Sequence, residues 1–467
     1  MAPKFGTSGL RGLVTELTPA LIGSHVRAFL ASCPVGSGLF VARDLRDSSA
    51  AIAAAVIAAA RGRGIHVTDC GEVPTPALAL AAMAAGAGAI MVTGSHIPAD
   101  RNGLKFYTPA GEITKAEEAA ILAAVVTEAQ VPAAPLPNEG RLTVAAPGAA
   151  FIARYLDAFG RAALVGRRIG VWSHSAVGRD LLGETLRVLG AEVVELARSA
   201  SFIPVDTEAV DAGGRRFLRA EAARHGLAAI VSTDGDGDRP LVVDETGEVI
   251  GGDILGQITA RFLGAEAVVT PVSSNTGAEA LGLRVIRTKI GSPYVIAGIE
   301  AVLAERPAAR VVGYEANGGF LLGFAASGPA GTLPKLMTRD SHLPIVAPLV
   351  AAGAAGLKAL VAGQPARFTA ADRLQEIPVE ASLALVASLR DDEAVFDAFV
   401  SAFGGRAVAR DLTDGLRLTL DTGRILHLRP SGNAPELRFY AEAETPEAAA
   451  EMLETGLAAL RERLASV

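Results

Sequence analysis

Apolar residues gather in short runs that stop abruptly at polar loops, and Ala/Leu-rich stretches of helical length separate one run from the next. That alternation of strand-like and helix-like segments predicts α/β architecture. One order of events recurs three times. An apolar strand ends in a polar loop in GLFVARDLRDSS (Gly38–Ser49), RIGVWSHSAVG (Arg168–Gly178) and AVVTPVSSNTG (Ala267–Gly277). A helical stretch follows, then a Gly and a second strand, starting at Gly64, Gly190 and Gly282. A third strand later runs into an unusual loop and out again, in AIMVTGSHIPADRNGLKFY (Ala89–Tyr107), AIVSTDGDGDRPLVVD (Ala229–Asp244) and VVGYEANGGFLLG (Val311–Gly323). Three units of one plan, each presenting one loop at the same point, predict three related α/β domains facing a shared cleft.

The Pro/Ala-rich stretch Val131–Gly140 reads as a linker, a second boundary falls near Ile250–Asp253, and a third lies near Gln364–Ala371 around Pro365. These divide the chain into 1–140, 141–250, 251–367 and 368–467. The last segment differs from the others: strand-like GLRLTLD and GRILHLRP, a loop, ELRFYAEA, then a helix with Thr445 as N-cap, Pro446 at its first position and Glu447 in its first turn. It is expected to form a smaller α+β domain.

With 467 residues, 50% of them hydrophobic and 20% charged, the chain has material for several buried cores and little reason to be disordered. A formal charge of −7 argues against nucleic-acid or anionic-membrane partners. Cys33 and Cys70 form neither a CxxC pair nor a disulfide framework and read as buried hydrophobes of a reducing compartment. Met1–Gly12 holds no apolar signal run, and Ala50–Ala60 and Ala77–Ala89 are too short or too interrupted to span a bilayer. A cytoplasmic location is therefore expected.

Four loops carry candidate chemistry. In TGSHIP (Thr93–Pro98), Gly94 permits a sharp turn, Pro98 ends the strand, and Ser95 is exposed as a nucleophile or phosphate carrier. Alone, a Ser in such a turn is more often a turn residue. DGDGDR places Asp234, Asp236 and Asp238 at alternate positions, able to converge on one hard cation, Mg²⁺ before Mn²⁺ or Ca²⁺. An EF-hand, suggested by these residues with Glu245, is excluded because Arg239 stands where Gly is required, Pro240 follows and strands flank the loop. RPSGNAPELR offers Arg429, Ser431, Gly432 and Asn433, a guanidinium, a hydroxyl and open backbone suited to a phosphate dianion or simply to a basic surface loop. EANGG presents Glu315 and Asn317 to sugar hydroxyls, or forms an ordinary Gly-rich turn.

Taken together, KFGTSGLRG (Lys4–Gly12), VTGSHIPADRNGLKFY, STDGDGDRP and RPSGNAPELRFYAE resemble, in this order and from end to end, the α-D-phosphohexomutase superfamily. Within it, the GTSGLRG and TGSHIPADRNG variants are most similar to bacterial phosphomannomutases, some of which accept glucose phosphates. The resemblance implies four domains around a central cleft. It implies that Ser95 carries the phosphoryl group and that Asp234, Asp236, Asp238 and an oxygen of phosphorylated Ser95 bind one Mg²⁺ per chain. Arg11 and Lys105 match basic residues beside that serine, Arg239 closes the metal loop, and Glu315 and Asn317 sit in the sugar-selecting loop. Arg429, Ser431, Gly432 and Asn433 match the loop holding the phosphate that is not being transferred. The implied reaction interconverts hexose 6-phosphate and hexose 1-phosphate, mannose phosphate first, through a hexose 1,6-bisphosphate that also activates the enzyme. Small hexose phosphates are then the partners of a monomer or weak homodimer.

Two positions depart from many relatives. Asn317 and Gly319 stand where a Ser and a His are frequent, and Ser292 in TKIGSPYV (Thr288–Val295) stands where a His is frequent. The sugar is thereby left open, and His96, Lys105 and Lys289 are all candidates for proton transfer. A phosphoglucosamine mutase, a Ser/Mg-dependent sugar phosphatase and a silent sugar-phosphate binder are the rival readings.

Overall fold

Strands covered by helices on both faces must be apolar at every position, and Gly88–Val92 and Ala229–Thr233 are buried throughout. The computed structural model describes residues 3–6, 9–128, 139–431 and 435–465. In the first repeat Leu39–Arg43 runs parallel to Val67–Glu72 on one side and Gly88–Val92 on the other, and Arg101–Thr108 returns antiparallel to Gly88–Val92. The second repeat has the same order. Arg168–His174 lies parallel between Glu192–Arg198 and Ala229–Thr233, and Pro240–Val243 returns antiparallel to the latter. In the third, Val311–Tyr314 pairs antiparallel with Phe320–Leu322. Each chemically distinctive loop is thus the hairpin connection leaving the carboxyl end of the same strand of the plan, the usual ligand-binding edge of an open α/β sheet.

The N-terminal strand Gly9–Leu13 joins the first sheet by pairing with Arg101–Thr108, Arg11 opposite Gly103. A Cβ on Gly103 would lie 2.0 Å from the Leu10 carbonyl and 2.8 Å from Arg11 Nη1, so only Gly lets this strand bring Arg11 so close. Glu245, the fourth acidic residue of the excluded EF-hand pattern, has a structural task. Its Oε2 accepts from the backbone N–H groups of Leu357 and Lys358 at 3.0 and 3.2 Å, where the helix Leu357–Ala362 begins.

The chain divides into two compact units, Met1–Ala267 with Gly291–Gly363, and Val268–Ile290 with Gln364–Val467. In the second unit, strands Phe368–Gln375, Glu436–Ala443, Ile425–Pro430, Leu416–Leu420 and Ala407–Asp411 form an antiparallel sheet in that order. Period-two alternation turns Leu416, Leu418, Leu426, Leu428, Leu437 and Phe439 to one core. The helix Pro446–Ala465 supplies Met452 and Leu460 to that core, and Thr445 Oγ1 accepts from Ala448 N at 3.1 Å as its cap. The helices Val379–Asp391 and Glu393–Val400, which the sequence pattern does not announce, complete it through Leu385, Leu389 and Phe399. Cys33 and Cys70 are buried free thiols, pushed up by burial to about 11 and 12. Among the described residues no helix is long and apolar enough to cross a membrane.

His342 is fully buried at the start of the helix Leu343–Ala351, its ring packed edge-on against Phe151, and neither nitrogen has a hydrogen-bond partner. Burial pushes it down to about 3. The folded ring stays neutral while the unfolded chain takes up a proton below its ordinary value of about 6.5, so stability falls as pH drops through that window. His342→Leu is expected to flatten the pH dependence of urea unfolding between pH of about 4 and 6.5, by about 1.4 kcal/mol per pH unit. Parallel curves for variant and parent would contradict this.

Candidate active site

Ser95 sits where strand Gly88–Val92 gives way to the loop, with φ of +54°, a left-handed conformation that a non-Gly residue holds only when its surroundings enforce it. The enforcement comes from Arg46. Its guanidinium donates to the carbonyls of Ser95, Ile97, Pro98 and Arg101 at 2.9, 2.6, 2.7 and 2.9 Å. Asp44 holds that guanidinium at 3.2 Å and accepts from Thr93 Oγ1 at 2.7 Å and Gly94 N at 3.3 Å. Thr93 Oγ1 in turn receives Ser95 N at 2.7 Å. A Cβ on Gly94 would meet Arg46 Cζ at 2.5 Å, which explains the glycine next to the serine. Phe202, from the second repeat, lies under the guanidinium with its ring centroid 3.9 Å from Cζ. Neither Asp44 nor Arg46 stands out in the sequence, although both lie in a strand-terminal loop of the first repeat.

The hydroxyl of Ser95 donates to Asp234 Oδ2 at 2.6 Å, which joins the first two loops into one site. Asp234, Asp236 and Asp238 are completely buried, and one oxygen from each lies within 4.8 Å of the others. Gly237, at φ +76°, turns the loop so that alternate side chains converge. Burial, with Asp236 and Asp238 beside it, pushes Asp234 up to about 8. Burial also opposes ionisation of Asp236, yet the Lys105 ammonium and Arg11 outweigh it and hold that carboxyl well below the usual range. Asp236 Oδ1 and Asp238 Oδ1 are buried without any hydrogen-bond partner. Unsatisfied buried carboxylate oxygens, in an all-oxygen donor set, fit a hard divalent cation such as Mg²⁺.

The predicted cations are distributed unevenly. Lys105 Nζ contacts Asp236 Oδ2 and Asp238 Oδ2 at 2.5 and 2.6 Å, so it neutralises the triad directly. Arg11 donates to the Thr93 carbonyl, beside Ser95. His96 Nδ1 lies 3.3 Å from Ser95 Oγ, and burial together with Arg239 pushes that ring down to about 3. Arg239 gives its backbone N–H to Asp234 Oδ1 at 3.2 Å, while its buried side-chain Nε has no partner. In the third loop, Asn317 Oδ1 is occupied by Gly319 N at 2.9 Å, and Glu315 reaches Arg339 Nη1 at 3.4 Å. Arg339 belongs to no motif.

The second unit holds the other candidates. Arg429 Nε donates to Asp414 Oδ2 at 2.9 Å, and the same oxygen accepts from Ile290 N at 3.0 Å, next to the exposed Lys289. Ser431 is buried, its backbone N–H on the Glu436 carbonyl at 2.9 Å. Gly432 and Asn433 lie outside the described residues.

The triad, with unpartnered oxygens on Asp236 and Asp238, is expected to hold a cation more firmly than Ser95 does. Asp236→Asn is expected to abolish Mg²⁺ binding measured by isothermal titration, whereas Ser95→Ala retains measurable binding. Equal loss in both variants would contradict that order.

The models described as phosphoglucomutase/phosphomannomutase alpha/beta/alpha domain I, alpha/beta/alpha domain II and C-terminal domain match residues 2–132, 153–247 and 378–458. A phosphomannomutase of Sinorhizobium fredii is 46% identical over 471 residues, covering 98% of this chain and 99% of that protein. A phosphomannomutase of Salmonella muenchen is 43% identical over 466 residues, covering 98% and 96%. The solved structure of a phosphoglucomutase/phosphomannomutase family protein from Burkholderia thailandensis shares the fold, with a TM-score of 0.77 at 23% identity over 98% of this chain and 96% of that one. Matching motifs, full-length identity and a shared multi-domain α/β fold agree, and the chain belongs to the phosphoglucomutase/phosphomannomutase family of phosphohexomutases.

Proposed function

We propose that this enzyme interconverts mannose 6-phosphate and mannose 1-phosphate, accepts the glucose phosphates less readily, and uses phosphorylated Ser95, one Mg²⁺ and a hexose 1,6-bisphosphate. The observation that carries the reading is the Ser95 hydroxyl held 2.6 Å from Asp234 within a fully buried carboxylate triad. The two phosphomannomutases, at 46% and 43% identity over nearly the whole chain, support mannose as the sugar.

In this reading the phosphoryl group leaves Ser95 Oγ for a sugar hydroxyl, whose proton passes in exchange to the freed Ser95 Oγ. The bisphosphate then turns over and returns its other phosphate to Ser95 Oγ, which gives its proton to the sugar oxygen left behind. Bound Mg²⁺ supplies charge neutralisation on the moving group. The protein's own part is positioning. Arg46 fixes the backbone that carries the nucleophile, and Lys105 and Arg11 supply positive charge around it. Among the proton-transfer candidates, Lys105 is committed to two carboxylates and Lys289 stands exposed in the second unit. His96, neutral at ordinary pH, serves as a hydrogen-bond partner of Ser95. Glu315 and Asn317 select the sugar, and Arg429, Ser431, Gly432 and Asn433 hold the distal phosphate. The proposal includes the four domains 1–140, 141–250, 251–367 and 368–467, and a cytoplasmic monomer or weak homodimer; the net charge of −7 speaks against nucleic-acid or anionic-membrane partners.

Incubation with hexose 1,6-bisphosphate and Mg²⁺ is expected to add one phosphoryl group to the protein, mapped to Ser95 by peptide mass spectrometry and absent from Ser95→Ala. A phosphate found on another residue, or none at all, would overturn the covalent route.

A further inference from the structure

Arg339 lies next to last in the strand Leu336–Asp340 and is only 4% exposed. Its guanidinium forks between two loops. Nη2 lies 2.7 Å from Asp238 Oδ2 in the metal loop, and Nη1 lies 3.4 Å from Glu315 Oε2 in the sugar loop. Both carboxylates are themselves buried. The path of the side chain depends on a glycine. A Cβ on Gly319 would stand 2.7 Å from Arg339 Cδ and 3.1 Å from Cγ, so the residue that ends the sugar loop has given its side-chain space to the arginine. The backbone beyond Arg339 is fixed as well: Ser341 Oγ donates to the Gly237 carbonyl of the metal loop at 2.7 Å, and Asp340 Oδ1 accepts from His342 N at 3.0 Å.

We propose that Arg339 is a positioning residue that links the two loops, orienting Asp238 toward the cation and Glu315 toward the sugar through one guanidinium admitted by Gly319. Together with Lys105, the fork occupies Asp238 Oδ2 and leaves the unpartnered Oδ1 of that carboxylate as the oxygen for the cation. A lysine keeps the charge but offers a point donor in place of a planar fork, so it serves one carboxylate at the expense of the other. The link to the sugar rests on the mutase reading above; the link to the metal does not.

Arg339→Lys tests it, with Gly319→Ala as a second variant that displaces the arginine while keeping it. Mn²⁺ binding is read by electron paramagnetic resonance without turnover, and KM and kcat for mannose 1-phosphate are read on the same preparations. In Arg339→Lys, Mn²⁺ binding is expected to weaken by about tenfold, the scale of lost outer-shell partners, and KM to rise by about as much. Because Arg339 touches no reacting atom, kcat is expected to change by less than about threefold, and Gly319→Ala is expected to move both quantities in the same direction. Movement of only one quantity, or a fall in kcat with KM unchanged, would overturn the link. A parent protein that binds Mn²⁺ but turns over no sugar phosphate would sink the mutase reading, and the Mn²⁺ arm would still judge the metal half of this one.

Discussion

Three carboxylates brought together out of water are the constraint around which the rest of the site is arranged. Two unit charges about 4 Å apart repel by roughly 4 kcal/mol even at an effective dielectric constant of about 20. The cluster Asp234, Asp236 and Asp238 therefore needs cations on every side. Lys105 and Arg339 meet it from below 2.8 Å, one from the first repeat and one from the third. Burial and the neighbouring carboxylates push Asp234 upward, and its Oδ2 accepts the serine hydroxyl. A divalent ion would complete the compensation at the two oxygens that have no partner. The fold's repetition serves this end, because loops leaving equivalent strand ends supply the nucleophile and the carboxylates from two copies of one plan.

A second buried ion pair does for the backbone what these cations do for the charges. Asp44 and Arg46 are 1% and 3% exposed, and a pair so deeply desolvated holds only if its remaining hydrogen-bonding capacity is used. It is used on the loop itself, in four carbonyl contacts that hold Ser95 at its positive φ. The cost of the strained serine, about 1–3 kcal/mol, is met by an arginine whose bonds exist only when the loop has this shape.

What the sequence makes legible is whatever lies in one continuous stretch. The repeats, the TGSHIP and DGDGDR loops and the Thr445 cap all rest on residues close together in the chain, where period, glycine placement and carboxylate spacing leave a local trace. Arg339 leaves none: it lies within an ordinary strand, and its importance lies in meeting Asp238 and Glu315 from a distant part of the chain. Arg46 is visible only as one charge in a strand-terminal loop until its carbonyl partners are seen. Lys105 in NGLK is marked by the family resemblance as a cation beside the serine, and its engagement with two aspartates appears only in three dimensions. Glu245 shows the converse, an acidic residue whose spacing suggested a metal and whose place is the start of a short helix.

The central claim is that this site moves a phosphoryl group between two positions of one sugar without losing it to water. Phosphorus NMR of the purified protein with Mg²⁺, a trace of hexose 1,6-bisphosphate, and mannose 1-phosphate or glucose 1-phosphate in separate tubes tests it most directly. The account predicts a growing 6-phosphate signal with no inorganic phosphate, faster with mannose. Inorganic phosphate as the only product, or no change in either tube, would contradict it.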